Sequence, residues 1–436
     1  MLDIKFIREN KEKVRKAILD KGIDLNLEYL LDLDEKRRTL KQECDELRQK
    51  RNEIAEKIKS GQKDKSLIEN GKEIKNLLAQ LEKKYSKVKE EFHTLMLYVP
   101  QIPSNDTPIG KDENDNKVIE EVGKIPKFDF EVKDHIELGK NLGIFDLERG
   151  VKVGGFRAYF LKNEAALLHL AILWFAIQKI LDKGFTLMIP PTLAKDFTLY
   201  GTGWFPFDMD NIYKVVPAGK LKLDQEKEEG TNLVGTAEVS LCGYYADEIL
   251  NEEDLPIKLC GISQCYRSEV GSYGRDTKGL YRIHEFAKVE QIVLCQNDYE
   301  VSNKWLEEFR NIAQEILNEL ELPHRVVLMC TSEMGAGKYK MYDIETWMPS
   351  RNGYGETHSD SNLGDWQARR LNIRYKTKDK EKKYVHTLNN TVIASPRILI
   401  AILENYQQKD GSVKIPKVLQ KWVGKDRIEL PKCDKN

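Results

Sequence analysis

The residues best suited to chemistry lie between positions 265 and 286, a stretch that contains three glycines. Arg267 and Glu269 follow a short apolar run, and alternation along a β-strand would place both side chains on the same face. An arginine offers forked donors to phosphate or carboxylate groups. Further positive charges follow at Arg275, Lys278 and Arg282. The pattern predicts a β-hairpin whose loop wraps a polyanion, with Glu269 as an acceptor for an amine.

The same residues also fit a plainer interpretation, a solvated hairpin with an internal Arg–Glu pair. For an isolated Arg-x-Glu sequence that interpretation is the better one. The sequence contains no GxGxxG after a strand and no GxxxxGK[ST], so neither a Rossmann dinucleotide site nor a P-loop is indicated.

Mixed secondary structure must position this hairpin. Long amphipathic patterns at residues 164–183 and 303–319 predict helices. Short β-rich runs alternate with them, at residues 215–216, 257–262, 288–294 and 325–328. Helices mixed with hairpin-like strands predict an α+β domain.

Two heptad runs precede this domain, at residues 40–59 and 67–95, with a polar connection at 60–65. They predict an antiparallel helical hairpin whose first helix begins near Leu27, capped by Asn26. Each arm would then have roughly 32 residues and a length of about 48 Å. The lysines at the tip are Lys57, Lys59, Lys63 and Lys65. A dimerising coiled coil is the alternative, and the small positive excess only modestly favours contact with nucleic acid.

The composition is that of an ordinary soluble protein, with 436 residues and a formal net charge of −1. Any nucleic-acid binding must therefore come from a local patch. Seven dispersed cysteines indicate buried thiols in a reducing compartment. The N-terminus lacks an apolar h-region, and the most apolar stretch, residues 165–181, is shorter than a membrane span requires. These features predict a cytoplasmic location without membrane attachment.

Several segments together resemble the seryl-tRNA synthetase family of class II aminoacyl-tRNA synthetases, in the right order. Residues 265–286 are similar to motif 2, 183–191 to motif 1, 235–238 to a Thr-x-Glu serine loop, and 387–406 to motif 3. The heptad hairpin and residues 97–103 resemble the family's N-terminal arm and the hinge after it.

The resemblance implies a helical hairpin followed by a large antiparallel sheet flanked by helices. It divides the chain into a tRNA-binding arm at 1–105, a linker at 106–125 and a catalytic domain at 126–436. It further implies a homodimeric serine–tRNA ligase that uses ATP and magnesium, forms seryl-adenylate, and charges the serine tRNA and, where it exists, the selenocysteine tRNA. No zinc is expected, because Glu290 and the serine loop are present and residues 231–240 contain no cysteine.

The resemblance also implies functions for the residues at positions that match the family's motifs. Arg267 and Arg397 are expected to be catalytic, on the α-phosphate with the serine carboxylate and on the γ-phosphate respectively. The expected ATP contacts are Arg267, Ser268, Glu269, Ile283, Glu356, Thr357, His358, Ser359 and Arg397. The expected serine contacts are Thr236, Ala237, Glu238, Arg267, Glu290, Asn389 and Thr391.

The segment from Glu356 to Ser359 is expected to hold magnesium through its two terminal residues, since this cation prefers oxygen ligands. His358 stands where the family usually has serine; it is bulkier and can titrate near neutral pH. Asn390 and Pro396 also depart from the family pattern, at positions that are often glycine.

Two other functions fit parts of the sequence. One is a synthetase-like ligase that loads a small amino acid on a non-tRNA acceptor, and the long arm argues against it. The other is a non-catalytic RNA-binding or scaffold protein. That hypothesis predicts lost charges, yet Arg267, Glu290 and Arg397 are all present.

Overall fold

The computed structural model describes residues 1–61, 64–220, 230–270 and 279–431. The chain divides into two compact units, Met1–Pro100 and Gln101–Asn436. Lys63, Arg275 and Lys278, predicted to supply positive charge, lie outside the described residues.

The first unit is helical. Its helices are α1 (Ile4–Glu9), α2 (Lys11–Asp20), α3 (Leu27–Lys59) and α4 (Lys65–Met96). The predicted hairpin of α3 and α4 is confirmed, with 33 and 32 residues in the two helices. Asn26 caps α3 as predicted, because its Oδ1 accepts a hydrogen bond from the backbone N–H of Tyr29 at 3.0 Å.

The heptad positions form the seam between α3 and α4. Cys44 and Leu78 are buried there, and the other predicted apolar positions are half-buried. Arg48 of α3 pairs with Glu82 of α4 at 2.8 Å, so these two residues lie opposite each other in the antiparallel hairpin. The two helices therefore pair with each other, as the short polar connection predicts.

The second unit mixes helices and strands. Its α-helices are α5 (His135–Asn141), α6 (Leu147–Gly154), α7 (Asn163–Asp182), α8 (Asp196–Thr202), α9 (Glu238–Gly243), α10 (Tyr299–Glu319), α11 (Trp366–Leu371), α12 (Ser395–Asn405) and α13 (Gln420–Val423). Its strands are β1 (Lys117–Val122), β2 (Phe145–Asp146), β3 (Phe160–Leu161), β4 (Thr186–Met188), β5 (Leu193–Lys195), β6 (Lys214–Val215), β7 (Thr231–Leu233), β8 (Ile249–Asn251), β9 (Ile257–Tyr266), β10 (Glu285–Cys295), β11 (His324–Leu328), β12 (Lys340–Met348), β13 (Gly353–Asn362), β14 (Arg374–Lys376), β15 (Lys382–Tyr384), β16 (His386–Ala394), β17 (Val413–Lys414) and β18 (Arg427–Ile428).

Eight strands form the central sheet, in the order β1-β11-β12-β13-β16-β10-β9-β4. All neighbouring pairs are antiparallel except β4 and β9. The predicted α+β class is therefore confirmed. The helices predicted at 164–183 and 303–319 are α7 and α10, and the predicted β-runs lie in or overlap β6, β9, β10 and β11.

The central strands have two different faces. Along β10, Ala287, Val289 and Val293 join the main apolar core, to which helices α7, α10 and α12 contribute. Alternation places Lys288 and Glu290 on the opposite face. That face carries the polar side chains described below.

A buried polar row supports the same strands from the core side. Asp360 of β13 lies opposite Asn390 of β16, which lies opposite Gln291 of β10. All three are fully buried, and Asn390 Nδ2 donates to Gln291 Oε1 at 2.7 Å. The hydrogen bond between Asn390 and Gln291 favours the observed pairing of β10 with β16, because a slip would leave both amides unpaired.

The segment predicted as a linker, residues 106–125, includes β1. This strand pairs with β11 at the edge of the central sheet. Its exposed Glu120 and Glu121 suit an edge position, where charge discourages pairing with other chains.

Helix α7 is the one helix among the described residues that is long and apolar enough to cross a membrane. Half of its most apolar window is buried inside the protein. Its inner side chains, such as Ile172 and Ile180, belong to the main core. A core helix of a soluble protein has these same properties.

Candidate active site

Two adjoining clefts lie on the polar face of the central sheet. The arginine cleft is lined by Arg267, Glu269, Leu280, Tyr281, Arg282, Ile283, Phe286, Lys288, Glu356, Thr357, His358, Thr391, Ala394, Pro396 and Arg397. The glutamate cleft includes Thr236, Glu238, Arg267, Lys288, Glu290, Lys338, Glu356, Ser359, Asn389 and Thr391. Arg267, Lys288, Glu356 and Thr391 line both clefts and therefore mark their junction.

Arg267 lies directly after β9, which ends at Tyr266. Its Nε donates to the Gly235 carbonyl at 3.3 Å, and its guanidinium lies 5.4 Å from the ring centre of Trp204 and 5.6 Å from that of Phe286. These contacts hold the side chain at the junction of the clefts.

Glu269 lines the arginine cleft, but the predicted strand alternation is not what places it there. Strand alternation does not extend to it, because β9 has ended and its backbone is left-handed, with φ +53°. Its carboxylate accepts from Arg282 at 3.0 Å. The hairpin therefore does contain an internal Arg–Glu pair, as the plainer interpretation predicts. The arginine of this pair is Arg282, whereas the side chain of Arg267 lies at the junction of the clefts.

Ser268 is tied to a neighbouring loop. Its N–H donates to the Asn211 carbonyl at 3.0 Å and its Oγ to the Asp210 carbonyl at 2.5 Å. Its side chain is not among those that line either cleft. Ile283 does line the arginine cleft, as predicted for a backbone contact to a nucleotide.

A β-bulge in β13 explains how Glu356 and Ser359 can share a cleft. Residues three apart on a regular strand point to opposite faces. Here Ile344 pairs with His358 and Glu345 pairs with Glu356, so Thr357 is the extra residue. The bulge reverses the alternation, and both Glu356 and Ser359 line the glutamate cleft.

Arg397 has an anionic partner. It lies in the first turn of α12, which begins at Ser395. It pairs with the Glu356 carboxylate at 3.0 Å. Burial alone would lower the pKa of Arg397, but Glu356 raises it well above its usual value. Burial likewise favours a higher pKa for Glu356, and Arg397 more than offsets this, so Glu356 is ionised.

His358 lies in the protein interior. It is 1% exposed, and its Nδ1 lies 2.9 Å from the hydroxyl of Thr357, which is also buried. Burial lowers the pKa of His358 to about 3, and His324 adds a smaller effect. At this buried position His358 cannot titrate near neutral pH, because burial disfavours its charged form.

We expect His358 to reduce stability in acid. Its folded pKa of about 3 lies below the ordinary value of 6.5. The unfolded chain therefore binds the proton more readily, and stability falls as the pH drops from 6.5 toward 3. His358→Asn should lose less thermal stability between pH 7 and pH 4 than the unaltered protein. Thermal unfolding midpoints across this range measure the effect, and parallel curves for the two proteins would contradict it.

Glu290 is the most deeply buried carboxylate of the glutamate cleft, with 2% exposure. It forms an ion pair with Lys288 and accepts from the Thr391 hydroxyl at 3.4 Å. A bulge at the pairing of β10 with β16 brings Thr391 opposite Glu290, because Val392 is the extra residue. This arrangement offers a carboxylate and a hydroxyl to a small polar ligand.

Glu238 lines the same cleft. Its Oε1 accepts from Gln367 Nε2 and from Asn389 Nδ2, each at 2.7 Å. Burial, and then the charge of Glu290, raise the pKa of Glu238. A cationic ligand between Glu238 and Glu290 would relieve this repulsion.

Thr236 lines the glutamate cleft, whereas Ala237 does not. Ala237 belongs to a buried apolar cluster with Leu241 and Ile292. Of the predicted serine contacts, Ala237 is the one whose side chain is turned away from the cleft.

The predicted magnesium ligands fit a hard cation. Glu356 is ionised and Ser359 offers a hydroxyl, whereas burial raises the pKa of the Asp343 carboxyl well above its usual value. Among the described residues, no group of three or more His, Cys, Asp or Glu is placed to hold a metal ion. Magnesium needs fewer protein ligands, because it is usually held by one or two carboxylates together with substrate phosphates and water.

Several cleft residues were not predicted. Lys288 and Phe286 precede Glu290 by two and four positions in β10, so strand alternation could have found them. Lys338 and Trp204 come from distant loops, and no local pattern marks them. Lys338 lies near Glu238 and Glu356, and its pKa is lowered, chiefly by burial.

The sequence and the fold match known proteins over nearly their whole length. Residues 1–103 match the family model "Seryl-tRNA synthetase N-terminal domain", and residues 220–406 match "tRNA synthetase class II core domain (G, H, P, S and T)". The serine–tRNA ligase of Treponema denticola is 42% identical over 434 residues, which cover 98% of this chain and 100% of that protein.

Two solved structures are similar to the fold. The crystal structure of seryl-tRNA synthetase from Pyrococcus horikoshii complexed with ATP has a TM-score of 0.89 and 39% identity, and the match covers 99% of this chain and 100% of that chain. The cytoplasmic serine–tRNA ligase from Naegleria fowleri in complex with AMP has a TM-score of 0.85 and 28% identity, with 100% and 99% covered.

The antiparallel sheet, its arginine cleft and the matched core domain define a class II aminoacyl-tRNA synthetase. The N-terminal helical hairpin and the full-length relatives specify the member of that class. The chain belongs to the seryl-tRNA synthetase family.

Proposed function

We propose that this protein activates L-serine with ATP and transfers the serine to tRNA. The observation that carries the proposal is the junction of the two clefts. Arg267 lies there between an arginine-lined cleft suited to a nucleotide polyphosphate and a glutamate-lined cleft suited to a small cationic ligand. Membership of the family supports the choice of serine.

Activation joins two anions, so the site must neutralise charge. A serine carboxylate oxygen attacks the α-phosphorus of ATP, the bond from that phosphorus to the bridging oxygen breaks, and pyrophosphate leaves. Arg267, at the junction, can bind the carboxylate and the α-phosphate together. Catalysis by this arrangement consists of positioning and electrostatic stabilisation.

The polyphosphate is assigned to the arginine cleft. Arg397 would bind the γ-phosphate after exchanging its pairing with Glu356, and Glu269 would face the adenine amine. Glu356 and Ser359 would hold magnesium, which supplies further neutralisation of the phosphate charges when bound. Ser268, Ile283, Thr357 and His358 are proposed to border the nucleotide through their backbone or buried side chains.

Serine is assigned to the glutamate cleft. Glu290 would receive its ammonium and hydroxyl groups, with Thr391 beside it, and Glu238 would close the site with Thr236 and Asn389. A buried carboxylate that pairs with a hydroxyl rejects alanine, because alanine would leave it unpaired. Threonine adds only a methyl group, so its exclusion must be steric.

We assign the N-terminal residues 1–105 to tRNA binding, residues 106–125 to the connection and residues 126–436 to catalysis. The exposed tip lysines, including Lys57, Lys59 and Lys65, support contact with the RNA backbone. The partners would be the serine tRNA and, where present, the selenocysteine tRNA. The cytoplasm is the expected location.

Shortening the arm should leave serine activation intact and weaken the transfer of serine to tRNA. The Arg48 guanidinium lies 2.8 Å from the Glu82 carboxylate, so the two residues lie opposite each other on helices whose axes pack about 8–10 Å apart. A four-residue Gly/Ser linker, which spans up to about 13 Å, can therefore replace residues 49–81. This variant should retain serine activation and lose at least about tenfold in kcat/KM for tRNA charging. Charging of total tRNA with labelled serine is the measurement, and unchanged charging would contradict the assignment of the arm to tRNA binding.

A homodimer is proposed from the surface of α7. Its outward side chains Leu167, Leu170 and Trp174 are exposed, and Ile189, in the segment that resembles motif 1, is 86% exposed. Apolar side chains along a helix that also packs into the core suit a contact with a second copy.

The function is tested by supplying the purified protein with ATP, magnesium, labelled serine and total tRNA. Acid-stable label on tRNA is the expected result. Serine-dependent activation without label on tRNA would favour the synthetase-like ligase instead; the family match of residues 1–103 does not favour that alternative.

A further inference from the structure

Lys288 is a charged residue at the junction of the clefts to which no role has been assigned above. Its side chain is 6% exposed and forms an ion pair with Glu290. Its Nζ also donates to the Thr391 hydroxyl at 3.4 Å. Of the four residues that line both clefts, Lys288 and Arg267 are the two cations.

Along β10, Lys288 lies between a residue of the arginine cleft and a residue of the glutamate cleft. Phe286, Lys288 and Glu290 share one face of the strand, with successive residues of the series about 7 Å apart. Phe286 lines the arginine cleft alone, Glu290 lines the glutamate cleft alone, and Lys288 lines both. Lys288 therefore lies between the end that takes the nucleotide and the end that takes the amino group.

We propose that Lys288 is a second catalytic cation, which exchanges partners when serine binds. This role rests on the proposed function. In the empty site Lys288 neutralises Glu290, whose burial would be costly without a partner. The serine ammonium replaces it on Glu290. The lysine then donates to the serine carboxylate and to a non-bridging oxygen of the α-phosphate, where negative charge gathers as the new bond forms.

The exchange links the two clefts without moving the backbone. The total charge around Glu290 stays balanced, because one ammonium replaces another. Lys288 needs only rotations of its flexible stem to turn toward the junction. Serine binding would thereby prepare a positive site for the phosphate before the reaction starts. No proton is transferred, since Lys288 acts as a hydrogen-bond donor and a charge.

The variant Lys288→Met removes the charge and keeps an unbranched stem in the buried position. Lys258→Met is the matched control, because Lys258 lies on the adjacent strand β9, half-buried beside Phe185 and outside both clefts. We expect Lys288→Met to lower kcat of serine-dependent ATP–pyrophosphate exchange about 100-fold, and Lys258→Met to leave it unchanged. Lys288→Arg should recover part of the loss.

Serinol separates catalysis from a structural role. It carries the amine and hydroxyl groups of serine but no carboxylate, so its inhibition constant against serine reports Glu290 alone. We expect this constant in Lys288→Met to stay within about threefold of the unaltered protein, or to become tighter, since Glu290 has lost its competing partner.

Three results would overturn the role. One is a kcat for Lys288→Met within about threefold of the unaltered protein. Another is a loss of serinol binding that parallels the loss of kcat, because Lys288 would then act only by holding Glu290 in place. The third, no serine-dependent exchange by the unaltered protein, would overturn the proposed function itself and this role with it.

Discussion

Replacing Arg267 with alanine is expected to lower serine-dependent ATP–pyrophosphate exchange by at least about a thousandfold, while the protein stays folded. The side chain lies at the junction of the clefts, where the serine carboxylate and the α-phosphate must approach each other. Its fixed contacts with Gly235, Trp204 and Phe286 mean that the guanidinium is already oriented before substrate arrives. The loss should fall mainly on kcat, since the charge on the reacting groups is greatest in the transition state.

Arg325→Ala is the control for this variant. Arg325 is also partly buried, pairs with Glu345 and lies 4.8 Å from the ring centre of Tyr354, but it lines neither cleft. The two variants should have similar unfolding midpoints, and only Arg267→Ala should lose activity. Normal exchange by a folded Arg267→Ala protein would refute the role given to this residue.

Glu290→Gln is expected to raise the KM for serine by at least about 100-fold. The substitution keeps the size of the side chain but removes the charge that would bind the ammonium group. It also leaves Lys288 without its anionic partner, which adds a cost to the empty site. Steady-state exchange at varied serine and saturating ATP is the measurement.

Glu285→Gln provides the comparison on the same strand. Glu285 is exposed at the start of β10 and lines neither cleft, so its variant should keep the normal KM for serine. A KM for Glu290→Gln close to that of Glu285→Gln would remove Glu290 from the serine site. A rise in the KM for ATP alone would instead place Glu290 on the nucleotide side.

Local patterns were sufficient to predict the helical hairpin. Heptad spacing depends on neighbouring turns of the helix, and the cap at Asn26 depends on adjacent residues, so both can be seen in sequence. The α+β class and the individual elements α7, α10, β9 and β10 follow for the same reason. The order of strands in the sheet does not, because it depends on contacts between distant segments.

Some features of the candidate site cannot be predicted from residue types alone. The motifs bring Arg267, Glu290, Glu356 and Arg397 to the two clefts, as the family resemblance implies. The bulge at Thr357 could not be foreseen, since it arises from the register between β12 and β13. The neutral state of His358 likewise depends on burial, which the sequence pattern does not reveal.

Lys288 was missed for a different reason. Its position two residues before Glu290 was visible, but a lysine in a strand is usually a solvated residue. Only burial and the ion pair with Glu290 distinguish it.

Amino-acid-dependent ATP–pyrophosphate exchange tests the central claim most directly. The purified protein is given ATP, magnesium and labelled pyrophosphate, with serine, threonine, alanine, cysteine and glycine supplied separately. The account predicts exchange with serine and none above background with the other four. Exchange driven by another amino acid, or no exchange with serine, would contradict the assignment of the glutamate cleft to serine.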